Sequence, residues 1–333
     1  MEKSRRIRPL ILAAGAAVLI LCLAGAYLLG RKSIPARPYR IIYIPKIQDS
    51  ANDFWTSLIE GAQMAADEYG VELEIAAPDS EDNYEQQIEM VAKAIEEKPD
   101  VIMLSPASYT EETEMARRVK EAGIKLVMVD SFVEEQLEET GIATDNFKAG
   151  EKLGAYMKER MEEEPVIGVV AHVKGSSTAI EREAGLRSGL GEAAEQIVTV
   201  KFCDSDYDKA YTLTKEMLTE YPDINMIFGL NEYSAVGAAR AVKDLGKAGE
   251  IKMAGFDSSL EEIQYLESGQ FSAIVIQRPF VMGYLGIEKS VQLLDGMTVP
   301  EKVDSGSELI TKENMYTEEN QKLLFPFWNR QDK

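Results

Sequence analysis

The 333-residue sequence contains one histidine and two cysteines. These scarcities exclude several chemistries. A zinc site built from several histidines is impossible with His172 alone. Cys22 and Cys203 cannot form a disulfide framework, and a thiol nucleophile would need His172 beside Cys203 as its base. His172 lies in a strand-like apolar run and reads as structural. Gly175-Ser176-Ser177 opens a helix but lacks the Gly-x-Gly-x-x-Gly and Gly-Lys-Ser/Thr patterns, so no nucleotide cradle is expected. Positive charge is also scarce. The net charge is −21, and residues 1–37 carry seven Lys or Arg against one Glu, so the remainder bears −27. So acidic a surface repels phosphate backbones and argues against nucleic-acid partners. No metal and no cofactor are expected.

Long apolar runs are confined to one place. Arg5, Arg6 and Arg8 precede an uncharged stretch, residues 9–30, followed by Arg31 and Lys32. As a helix it would span about 33 Å, enough for the roughly 30 Å hydrocarbon core. Residues 1–32 are therefore expected to be a cytoplasmic tip and transmembrane anchor. The basic N-terminus would stay inside and the rest of the chain would lie at the extracytoplasmic face of the membrane. Ala24-Gly25-Ala26 offers a signal-peptidase alternative, in which the chain would be secreted. Residues 33–37 read as a linker.

The hydrophobic fraction of 45% supports a packed core. Short apolar runs at 40–44, 71–76, 101–104, 125–129, 166–171, 197–202, 226–230, 251–255 and 272–276 read as strands, mostly parallel and buried on both faces. Helical spacing lies between them, as in Phe54, Leu58, Ala62 and Ala65. This rhythm predicts an α/β fold with parallel sheets in two lobes. The acid-rich break at 134–139, with Gly141 to Asn146 after it, looks like the crossing between them.

Polar and aromatic residues recur where strands end or helices begin: Asn52-Asp53-Phe54-Trp55, Asp130, Arg182, Asn231, Phe256-Asp257 and Gln277. In open α/β sheets such positions converge on a ligand. Planar bidentate groups and flat rings suit a small polyol. No nucleophile–base pair accompanies them, so binding rather than catalysis is expected.

In order and spacing, these motifs resemble the ribose-binding-protein branch of the type I periplasmic binding proteins. So do Ile142 to Asn146, Ser176 to Gly185 with Glu181-Arg182, Phe228 to Glu232 and Ile276-Gln277. The resemblance covers about residues 40–312. It implies two Rossmann-like lobes joined by a three-stranded hinge, 38–144 plus 278–305 and 145–277 plus 306–333. It implies hydroxyl contacts from Asn52, Asp130, Arg182, Asn231, Asp257 and Gln277, a ring sandwich from Phe54, Trp55 and Phe256, and Thr144 at the hinge near the ligand. The partners it implies are a small carbohydrate and the permease of an ATP-driven importer, or alternatively a sensor histidine kinase served by this chain as its ligand-sensing subunit. Ser131 stands where ribose binders carry Arg, and Ser205 where an aromatic is usual. Both changes shrink side chains, so a larger or differently hydroxylated sugar is expected. Arg182→Ala or Asp257→Ala should abolish binding with little change in melting temperature.

Overall fold

In the computed structural model, which describes residues 37–161 and 164–325, the alternation resolves into two six-stranded sheets. The first contains β1 (Arg40–Ile44), β2 (Glu72–Ile75), β3 (Val101–Leu104), β4 (Lys125–Val129), β5 (Thr140–Ala143) and, from much later in the chain, β11 (Lys302–Asp304). Its order is β11-β5-β4-β3-β1-β2, with every pair parallel. The second contains β6 (Ile167–Ala171), β7 (Ile197–Phe202), β8 (Met226–Gly229), β9 (Lys252–Phe256), β10 (Phe271–Ile276) and β12 (Glu308–Ile310). Its order is β12-β10-β9-β8-β6-β7, and only β12 runs antiparallel to its neighbour. Both sheets therefore repeat the doubly wound order 2-1-3-4-5 with a sixth strand added at one edge.

The connecting helices are α1 (Asp53–Tyr69), α2 (Tyr84–Glu97), α3 (Thr113–Glu121), α4 (Asn146–Lys158), α5 (Ser177–Leu190), α6 (Tyr207–Glu220), α7 (Glu232–Asp244), α8 (Leu260–Ser268), α9 (Pro279–Leu294) and α10 (Glu318–Leu324). Most start on a polar cap. Asn52, Asn83, Asp145, Ser176, Asp206, Asn231, Ser259 and Thr317 each accept a first-turn backbone N–H.

Helices cover both faces of each sheet, so central strands are apolar throughout. Ile102 and Leu104 of β3 enter one core cluster while Val101 and Met103 enter the cluster on the opposite face. Met226 and Phe228 of β8 likewise oppose Ile227. The edge strands β2 and β7 depart from that expectation and are partly exposed.

The chain crosses between lobes three times, at 144–145, 277–278 and 305–307. All nine expected strands are present, with ends shifted by no more than one residue. Three more were not anticipated: β5, β11 and β12. The segment expected to be a crossing from 134 onward instead carries β5 in the first sheet, and the crossing begins only at Thr144. Among the described residues no helix is long and apolar enough to span a membrane. The anchor expected at 9–30 lies outside them.

Candidate functional site

The residues that follow the strands meet at one small pocket of about 30 Å³. Of the ten candidates, Asn52, Phe54, Trp55, Asp130, Arg182, Asn231, Asp257 and Gln277 border it; Thr144 and Phe256 do not.

Two aspartates occupy equivalent places in the two lobes. Asp130 follows β4 and Asp257 follows β9, the fourth strand of each 2-1-3-4-5 set. The N–H of each donates 2.9 Å to a carbonyl of the next strand, Ile142 for Asp130 and Val275 for Asp257. Both adopt positive φ, 70° and 80°. Such conformations cost about 1–3 kcal/mol and gather at functional sites. Strand pairing and burial hold both carboxylates in place.

Asn52 and Asn231 are helix caps as well as pocket residues. Asn52 Oδ1 accepts from Trp55 N at 3.1 Å, and Asn231 shares a capping box with Ser234. Capping fixes each amide plane. Arg182 is buried, with its Nε–H donating 2.8 Å to Asn146 Oδ1 and an Nη1–H donating 2.8 Å to the Leu230 carbonyl. Two of its five donors are thus committed, and these set the direction of the rest. Gln277 Nε2 donates 2.7 Å to Asp257 Oδ1, while its own Oε1 is buried without a partner among the described residues.

Two expected positions do not border the pocket. Phe256 was expected to sandwich the guest. It is the last residue of β9, and its buried ring belongs to the core cluster that also holds Leu153 and Leu186, with the Arg182 guanidinium 4.7 Å from the ring centre. It supports the arginine instead of facing the pocket. Thr144 stands at the first crossing with its Oγ1 3.4 Å from Ser305 Oγ, tying two crossings together away from the pocket wall.

Sequence reasoning missed six bordering residues: Lys46, Glu81, His172, Thr178, Glu232 and Tyr233. Lys46 Nζ donates 2.7 Å to Asp130 Oδ2, a buried ion pair. The available signal was a lysine two residues past the buried apolar run 41–44. Ser131, where a second cation was missing, is buried with its hydroxyl on the Pro106 carbonyl at 2.8 Å. Ser205 Oγ donates 2.7 Å to Glu81 Oε2, and Glu81 also accepts from Trp55 Nε1. Neither serine borders the pocket, so the small side chains do not widen it.

Burial dominates the electrostatics. It raises the Glu81 carboxyl, opposed by Lys46 and by the Ser205 and Trp55 donors. It raises Asp257, opposed chiefly by Arg182, and pushes Glu232 up to about 8 despite the hydrogen bond from Tyr207. His172 is held well below its usual value by burial and then by the cations Arg182 and Lys46. The neutral imidazole places Nε2 2.8 Å from Thr178 Oγ1, and its Nδ1 has no partner among the described residues.

The lobes also touch directly. Tyr233 OH donates 2.8 Å to Asp49, Tyr109 N donates 2.9 Å to the Gly175 carbonyl, and Phe132 N donates 3.0 Å to Ser177 Oγ. With Ser205–Glu81 these contacts hold the two halves around the pocket.

Residues 41–298 match the family described as Periplasmic binding protein domain. The ribose import binding protein RbsB of Bacillus subtilis is 26% identical over 261 residues, 78% of this chain and 84% of the relative. A crystal structure of a sugar transporter from Clostridium phytofermentans is 47% identical, covers 82% of this chain and 99% of its own, and superposes with a TM-score of 0.79. An ABC transporter solute binding protein from Agrobacterium vitis, with bound D-fucose, is 29% identical over 86% of this chain and 99% of its own, with a TM-score of 0.81. Two 2-1-3-4-5 sheets sharing a pocket at their strand ends, together with these matches, establish that the chain belongs to the periplasmic binding protein domain family, in its type I, ribose-binding-protein-like branch.

Proposed function

We propose that this chain is an extracytoplasmic sugar-binding protein that closes around a small carbohydrate and presents it to the permease of an ATP-driven importer. Asn52, Asp130, Arg182, Asn231, Asp257 and Gln277 hold hydroxyl groups, and Phe54 and Trp55 offer flat faces to C–H edges. One lobe comprises 38–144 plus 278–305 and the other 145–277 plus 306–333. Residues 1–32 tether the protein to the membrane. It binds without catalysing, as do the binding proteins it is similar to.

One observation carries the reading: charged and planar groups from both lobes border a single small pocket. A guest touching both halves has differential affinity for the closed form, which is the only way a ligand can shift an open–closed equilibrium. The importer is preferred to a sensor kinase as the reader of that form because the similar proteins are described as import and ABC transporter binding proteins.

A thermal-shift screen of the full chain against pentoses, hexoses and their furanose forms, followed by calorimetry on each positive, tests the proposal. At least one monosaccharide should raise the melting temperature and bind at micromolar level or tighter. Absence of any shift across the panel would refute sugar binding.

A further inference from the structure

His172 is structural through one ring nitrogen only. The side chain is 3% exposed and borders the pocket, as does Thr178. Its Nε2 lies 2.8 Å from Thr178 Oγ1, which in turn lies 3.3 Å from Ser176 Oγ. The far end of this chain sets the direction of its bonds. The Ser176 hydroxyl donates its proton 3.1 Å to the Val173 carbonyl, so toward Thr178 it can only accept. Thr178 then donates to Ser176 and must itself accept from the ring, which puts the imidazole proton on Nε2. The opposite tautomer would leave no proton between the two hydroxyl oxygens and would orphan a buried N–H at Nδ1. Burial, with the cations Arg182 and Lys46, opposes a second ring proton. Nδ1 is therefore a bare, uncharged acceptor, buried without a partner among the described residues.

We propose that His172 is a specificity-determining residue of the sugar site, its Nδ1 accepting the proton of one hydroxyl of the bound sugar. This rests on the sugar-binding reading above and deepens it. Lys46 and Arg182 only donate, so they take the oxygen of a hydroxyl; Nδ1 only accepts, so it reads the proton. The hydroxyl chain through Thr178 and Ser176 keeps it in that state. A fluorine or a carboxylate oxygen at the same place would set lone pair against lone pair, and a deoxy carbon would leave Nδ1 buried and unpaired. A site built to bond a hydroxyl rejects the analogue that lacks it for that reason. The favoured ligand class is a neutral sugar with a free hydroxyl at this place, and not its deoxy or acidic counterpart.

The test uses the full chain in a detergent without a sugar headgroup, purified without a histidine tag so that His172 stays the only histidine. Nitrogen-isotope labelling of histidine then gives one pair of imidazole resonances by NMR. The ligand-free protein should show Nε2 protonated and Nδ1 bare. Saturation with whichever of D-ribose, D-arabinose, D-allose and D-fucose binds should draw the Nδ1 resonance toward the protonated position and leave Nε2 protonated. Calorimetry with the monodeoxy and deoxyfluoro analogues of that sugar should find one position at which losing the O–H weakens binding about tenfold or more. In His172→Leu the same analogues should cost less than about twofold at that position. A proton found on Nδ1, or an Nδ1 resonance unmoved by saturating sugar, overturns the assignment without needing any variant. Equal losses for the analogues in wild type and His172→Leu overturn it as well, while the sugar-binding reading stands. Binding of none of these sugars removes that reading, and the role of His172 with it.

Discussion

Asp130 and Asp257 hold backbone conformations that few side chains tolerate, with Asp and Asn the commonest exceptions. Asp257→Asn should therefore fold with a nearly unchanged melting temperature. It should weaken sugar binding by about tenfold or more, read by calorimetry, since a charge-assisted contact contributes roughly 1.5–3 kcal/mol. Arg182 behaves differently from the sequence-based expectation that removing it leaves stability untouched. Its buried guanidinium serves Asn146 and the Leu230 carbonyl, and each acceptor left unpaired costs about 1–3 kcal/mol. Arg182→Met should lose binding and also lower the melting temperature.

Titration supplies another test at this scale. Burial raises Glu112 and Glu232 to about 8, above their usual 4.5. Each therefore favours folding below pH 4.5, and that contribution fades as pH rises toward 8. His172 is lowered below 6.5, so its contribution is present above that pH and fades as pH falls. Ligand-free protein should lose melting temperature as pH rises from about 5 to 8. Glu112→Gln should flatten the alkaline limb in a differential scanning series. An unaltered slope would refute the assignment.

At the scale of elements, each lobe depends on a helix pair brought unusually close. α9 crosses α1 and α4 crosses α5, each pairing the helix after a lobe's first strand with one that follows a crossing. A Cβ on Gly283 would sit 1.9 Å from the Leu58 carbonyl oxygen, and one on Gly185 2.0 Å from that of Phe147. Neither neighbour is a flexible side-chain tip. Gly283→Ala and Gly185→Ala should each destabilise by about 1–3 kcal/mol or more through overpacking, seen in urea unfolding. Central strands were legible in the sequence because burial on both faces leaves an unbroken apolar run. β11 and β12 are three residues each, with exposed positions, too short for any period to register. β5, Thr140–Ala143, is buried, but it follows an acid-rich stretch and carries a glycine, which concealed it.

At the scale of the molecule, the proposed function depends on the balance between open and closed forms. Ser177 caps nothing in the pocket wall, yet its hydroxyl accepts from Phe132 N across the lobes. Ser177→Ala removes one hydrogen bond of the closed form, about 1 kcal/mol. Apparent sugar affinity should fall about fivefold through the smaller closed population, with the pocket itself intact. Small-angle scattering should record a larger radius of gyration without sugar and the wild-type value at saturation. Unchanged affinity and radius would show that this contact does not bias closure.

The sequence by itself determined the alternation of strands and helices and the polar and aromatic residues that stand at strand ends, because each is a local property of spacing and residue type. Only the tertiary structure decided which groups share the pocket. Lys46 meets Asp130 across 84 positions, Ser205 meets Glu81 across 124, and Phe256 turns away into the core. Side-chain direction follows from the pleat of a strand and the packing of its neighbours, and residues distant in the chain become partners only when both sheets are complete.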